Sequence, residues 1–243
     1  MKQFIIIGFL AAIIVAGCKE KIVLDLKNST PQIVIEGIIN NQPGPYYVAI
    51  TQSVPYYDSN KVVPVSGASV VVTDDAGNID TFKESAFAGL YLSATLVGTP
   101  GRTYHMSANV AGKQYDAMSK MFPPVPVDTI FTQAFSFGSL HTIQPIILYQ
   151  DPVGVGNYYR TTLYQNGQKQ GKITIDDDKV TDGKIKSTRA RADFDIHVGD
   201  TLKVELQAID QPVWNYYNTL NNSTLALLLP HPPILFQISL ITH

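Results

Sequence analysis

From residue 31 onward the apolar positions fall into short runs of near two-residue period. Each run is closed by glycine, proline or an Asn/Asp cluster, a pattern that predicts strands. Residues 32–39 (QIVIEGII) and 46–51 (YYVAIT) flank the turn NNQPGP. Residues 65–73 (VSGASVVVT) and 79–83 flank DDAGN, which predicts a hairpin. Residues 89–96 (GLYLSATL) alternate, and 103–110 and 113–117 predict a second hairpin across Ala111-Gly112. Strand composition returns at 128–135, 142–150, 158–164, 172–175, 194–198 and 201–209, with Asn166-Gly167 a hairpin signal between 158–164 and 172–175. Only residues 211–220 (QPVWNYYNTL) change period. Val213, Tyr216, Tyr217 and Leu220 recur at i, i+3, i+4 and i+7, and Pro212 suits a first turn, so one short helix is expected here.

The expected fold class is therefore all-β. Three prolines within residues 122–127 (FPPVPV) make a stiff spacer that no central strand tolerates. The spacer divides the chain into two β-sandwich-like domains, 31–122 and 123–243. The run PVSGASVVVTDDAGN…AGLY…PGRTYHM resembles a sandwich of the prealbumin-like, carboxypeptidase-regulatory-like or Ig-like type.

Residues 1–18 (MKQFIIIGFLAAIIVAGC) obey neither period. Lys2 precedes an uncharged apolar run that is too short for the roughly 20 residues a membrane-spanning helix needs, so it reads as an export signal. Val15-Ala16-Gly17 puts small residues directly before Cys18. This resembles the bacterial lipoprotein signal, in which a diacylglycerol is attached to the cysteine thiol before cleavage on its N-terminal side. Residues 1–17 would then be removed, Cys18 would carry the lipid, and residues 18–30 would tether the body to a membrane. Stable anchoring takes more than one acyl chain, each contributing about 0.8 kcal/mol per buried methylene.

Cys18 is the chain's one cysteine, which excludes a disulfide framework, thiol catalysis and cysteine metal sites. Charged residues make up 16% of the chain, below the usual ~25%. The net charge of −2 supplies no basic field, so a nucleic-acid partner is not expected. The five histidines stand singly without zinc spacing, and no G-x-S-x-G elbow or phosphate-cradling loop opens a helix. Asp176-Asp177-Asp178 with Asp182-Gly183 lacks the EF-hand alternation and reads as a solvated turn. No catalytic residue, metal or cofactor is expected. Tyrosine is abundant, and in the pairs that fall in strands one ring should face the core and the other the surface. Tyr56 and Tyr57, in a proline-flanked loop, are the candidate ligand-binding residues.

KIVLDL, PQIVIEGIINN, GPYYVAIT, PVSGASVVVTDDAG, GDTLKVELQAID and WNYYNTL together resemble a Bacteroidetes lipoprotein family catalogued as domain of unknown function forty-two forty-nine. That resemblance implies an outer-membrane lipoprotein, often encoded beside a TonB-dependent nutrient transporter, and brings no catalytic residues. The expected function is a non-enzymatic accessory that captures or passes on a glycan or peptide. The alternative is a structural or adhesive envelope lipoprotein. With Lys19-Glu20 after the cysteine, the cell surface is preferred to the periplasmic face. Asp128-Thr129-Ile130 and Asp200-Thr201-Leu202 resemble Bacteroidetes O-glycosylation acceptors, which implies modification of Thr129 and Thr201. Residues 225–243 depart from the family's ending: they hold no acidic residue, no lysine and no arginine. They suit either a buried terminal strand over 234–241 or a reading frame shifted near Pro233.

Overall fold

The computed structural model describes residues 30–54, 61–137, 140–222 and 234–242. The expected signal segment, Cys18, most of the expected tether, Tyr56 and Tyr57 lie outside them. The described residues are mostly strand with one helix near the C-terminus, in curled, largely antiparallel sheets of the β-sandwich kind.

The strands of the first half are β1 (Ile33–Asn40), β2 (Tyr47–Gln52), β3 (Val63–Pro64), β4 (Ser69–Asp74), β5 (Ile79–Glu84), β6 (Leu90–Leu92), β7 (Thr103–Val110) and β8 (Lys113–Lys120). The second half holds β9 (Thr129–Phe137), β10 (Leu140–Gln150), β11 (Tyr158–Gln165), β12 (Gln168–Lys169), β13 (Thr174–Asp177), β14 (Ile185–Arg189) and β15 (Leu202–Ile209). The helix α1 (Gln211–Asn222) and β16 (Ile234–Thr242) follow. One long sheet runs β12-β11-β15-β16-β1-β2-β6-β5-β4-β7-β8, with β13 on β11 and β3 on β2; a second sheet is β14-β10-β9. β16 sits at the seam, parallel to β1 and antiparallel to β15.

Alternation builds the first core. β4 turns Val70, Val72 and Asp74 inward, and β7 turns Tyr104, Met106, Ala108 and Val110 inward. Ile35 and Ile39 of β1 and Val48 and Ile50 of β2 reach the same cluster, so the sheet curls until distant strands share one interior. A second cluster gathers Val125, Ile147, Tyr149, Tyr159, Leu163 and Leu206. A third lies under α1 around Tyr158, Ile209, Val213 and Tyr217.

Asp74 closes the β4–β5 turn. Its Oδ1 accepts the N–H groups of Ala76 and Asn78 at 3.0 and 2.9 Å, and its Oδ2 accepts from Asn78 Nδ2 at 2.8 Å and Arg102 Nη1 at 2.5 Å. Burial pushes this carboxyl up, but the bonds from Asn78, Arg102 and Ala76 outweigh it and hold the pKa at about 2, below the ordinary 3.8. A depressed folded value stabilises above the ordinary pKa, and that stabilisation, about 2 kcal/mol, is lost as pH falls from about 4 to about 2. Denaturant midpoints should drop across that window, and Asp74→Asn should flatten the drop. Equal slopes for the two proteins would refute this account.

Four expectations change. Residues 194–198 form no strand, and in the 89–96 run only Leu90–Leu92 pairs. There Asp80 Oδ2 collects the N–H groups of Ala94, Thr95 and Leu96 at 3.0, 2.7 and 2.7 Å, diverting that backbone from any ladder. Tyr158 and Tyr159 are both buried, because α1 covers the face of β11 that would otherwise meet water. The Asn166-Gly167 turn forms with both residues at positive φ, but it leads into the two-residue β12 before β13 rejoins β11.

Candidate functional site

Helix α1 starts at the junction of the two halves. Asp210 caps it, its Oδ1 accepting the Val213 N–H at 3.0 Å, while its Oδ2 accepts the Ser119 hydroxyl of β8 at 2.5 Å. Burial pushes the Asp210 carboxyl up against these bonds. The inward face of the helix seats Val213 and Tyr217, and Arg160 of β11 stacks its guanidinium 4.3 Å from the Tyr217 ring centre. Nearby, Tyr47 of β2 points its hydroxyl at Glu36 Oε1 (3.5 Å), and burial and that carboxylate raise its pKa to about 12.

The flank of the helix does something else. Trp214, Asn218, Asn221 and Asn222, at i, i+4, i+7 and i+8, line an open cleft of about 560 Å³. The opposite wall is the margin of β13 and β14, which do not pair with each other; side chains span the gap instead. Lys186 Nζ donates to the Asp177 carbonyl at 2.5 Å and to Thr181 Oγ1 at 2.9 Å, and the Thr188 hydroxyl donates to Asp176 Oδ2 at 2.6 Å. Burial pushes the Asp176 carboxyl up, against the pull of Thr188 and Lys186. Arg191 reaches Asn221 Oδ1 at 3.5 Å at the mouth. The Trp214 ring lies 5.5 Å from that of Tyr158, and Lys179 Nζ sits 5.0 Å over the indole while pairing with Asp177 at 3.3 Å.

A second cluster corrects the solvated-turn expectation. Asp178 is buried and stands with Asp151 and Asp182, one oxygen of each within 4.8 Å of the others. Asp151 accepts from the Tyr159 hydroxyl (2.5 Å) and the Gly183 N–H (3.2 Å), and Asp178 from the N–H groups of Gly156 and Asn157. Asp182 accepts from the Gly154 N–H at 2.7 Å. Oxygen ligands so placed suit a hard cation. The donors already on them make the cluster a clasp between loops 151–157 and 178–183, and no cation is assigned to it. No sequence signal tied Asp151 to this group, because β11, β12 and β13 lie between it and Asp178 in the chain.

Thr129 and Thr201 are both exposed, at the start of β9 and just before β15, and the structure does not bring them together with the cleft. Among the described residues no helix is long and apolar enough to cross a membrane.

Residues 19–237 match the family described as "Domain of unknown function (DUF4249)". The chain belongs to this family. The match begins just after Cys18 and takes in both halves, the start of β16 and the helix that walls the cleft, so the cleft and the Asp151 cluster lie within the family's domain. A search of curated proteins returned no match.

Proposed function

We propose that this member of the family is an outer-membrane lipoprotein that catalyses no reaction itself. It serves as an accessory to a TonB-dependent nutrient transporter, capturing a glycan or peptide and passing it on. The observation that carries this is Val15-Ala16-Gly17-Cys18 at the end of a charged-then-apolar leader, a pattern with a defined chemical fate. The lipid binds Cys18 to a bilayer, and the following residues act as the tether that lets the body reach a neighbour. The open, polar cleft beside α1 supports capture, because it presents hydrogen-bonding groups to solvent without a lid among the described residues. Placement at the cell surface fits capture better than the periplasmic face.

Affinity purification of the full chain from native membranes should recover a TonB-dependent transporter in near-stoichiometric yield. Recovery of the lipoprotein without any transporter would refute the accessory role. A structural or adhesive role draws on a different feature. Among the described residues β9 has only β10 as a ladder partner; it carries no charged side chain and exposes Ile130 and Phe131, an edge well suited to contact another surface. Loss of adhesion with undiminished growth on polymers after gene deletion would favour that role instead.

A further inference from the structure

The geometry points to the cleft between α1 and the β13/β14 margin as a binding site for a neutral oligosaccharide. Asn222 Nδ2 donates to Asn218 Oδ1 at 2.8 Å, which links the two side chains on the cleft wall and commits one donor and one acceptor of the pair; the Asn218 amide nitrogen and the Asn222 side-chain oxygen complete it. A donor and an acceptor on one wall match sugar hydroxyls, each of which both gives and accepts a hydrogen bond. Trp214 supplies the apolar ring against which the C–H face of a pyranose packs. The volume lies within the ~300–1,000 Å³ typical of small-molecule clefts, but the lining is too polar for a lipid.

Charge argues against other ligands. The lining mixes Asp176 and Asp177 with Lys186 and Arg191, so an anion or a cation entering the cleft meets like charges as well as opposite ones. An extended peptide adding to the β13 edge would have to share the Asp177 carbonyl with Lys186 Nζ. Asp177 is itself balanced by Lys179, so the wall has little net charge to attract an ion. Lys179 is 65% exposed and covers the indole; a sugar takes its place on the ring.

This deepens, and for its biological sense rests on, the capture role proposed above. Trp214 is the chain's one tryptophan, so its fluorescence reports on this cleft alone. The full chain, purified in a detergent with no sugar headgroup, is titrated with malto-, cello-, xylo- and chito-oligosaccharides, and separately with inorganic phosphate and an acidic peptide. A saturable change in emission is expected with at least one neutral oligosaccharide. Asn218→Ala with Asn222→Ala should weaken it about tenfold or more, while Lys179→Ala should strengthen it by uncovering the ring. Matching melting curves for the variants guard against misfolding. No saturable response to any of the four sugars overturns the proposal, as does a double variant that titrates like the parent or a response to phosphate or peptide alone. A silent cleft with a co-purified transporter would sink the ligand and keep the accessory role; a responding cleft with no transporter would do the reverse.

Discussion

Gly98→Ala is expected to lower the melting temperature by about 10 °C. A Cβ built at Gly98 falls 1.8 Å from the carbonyl oxygen of Asn40 and 2.8 Å from its carbon, with Met121 Cε at 3.1 Å. The obstacle is backbone, which cannot rotate aside as a side chain could. The segment around it is also pinned: Leu96 N–H to Asp80, Gly98 N–H to the Tyr46 hydroxyl at 2.9 Å, and Thr99 N–H to the Tyr104 hydroxyl at 2.7 Å. Relief must come from moving the end of β1 or breaking one of these bonds. Overpacking of this kind costs about 3 kcal/mol, and a domain of 150–250 residues loses about 2–4 °C per kcal/mol. Gly112 is the control. It has φ of 83° and nothing within 4 Å of a built Cβ, so Gly112→Asn, which tolerates that backbone, should melt near the parent. If both variants melt alike, close approach at Gly98 is not what that glycine is for.

Cys18→Ala is expected to move the protein from the membrane fraction to the soluble fraction almost completely. On the proposed reading the thiol of the chain's one cysteine takes the diacylglycerol, and an alanine offers no nucleophile. Without acyl chains the described residues have no membrane-spanning helix to fall back on. Even a single acyl chain gives only marginal, reversible binding, so loss of all of them leaves nothing comparable. Fractionation with mass spectrometry of the N-terminus reads both halves of the claim. The parent should carry a lipid-bearing cysteine, and the variant none. A variant that stays with the membrane would show that protein contacts, not lipid, hold the molecule there.

Much of the fold was legible because its strands obey local rules. DDAGN must turn and Asn166-Gly167 takes two positive φ angles, which asparagine tolerates and glycine adopts freely, while Pro212 and the spacing of Val213 and Tyr217 favour a helix. The failures are also physical. Phe194 and Val198 look like strand residues, yet both are exposed, and no ladder partner lies beside them. The stretch 94–96 has strand composition, but the buried Asp80 carboxylate outcompetes any neighbouring strand for its N–H groups.

The candidate site was less legible. Trp214 and the asparagines on α1 could be read as one helix flank, but Asp177, Lys186 and Arg191 face them only because β13 and β14 fail to pair and leave a gap. Asp151 joined Asp178 and Asp182 for the same kind of reason. Of the earlier candidates, Thr129 and Thr201 are exposed and do not line the cleft, while Cys18, Tyr56 and Tyr57 lie outside the described residues.

What the sequence by itself determined is therefore what short-range chemistry settles: strand against helix, where the chain turns, and family membership. Only the tertiary structure decided that the sheet curls until β1 and β7 share an interior, and that β16 joins the halves. It also decided which polar side chains meet across a cleft. Those outcomes depend on pairings between residues far apart in the chain, and a two-residue period marks which face of a strand is buried without naming its neighbour.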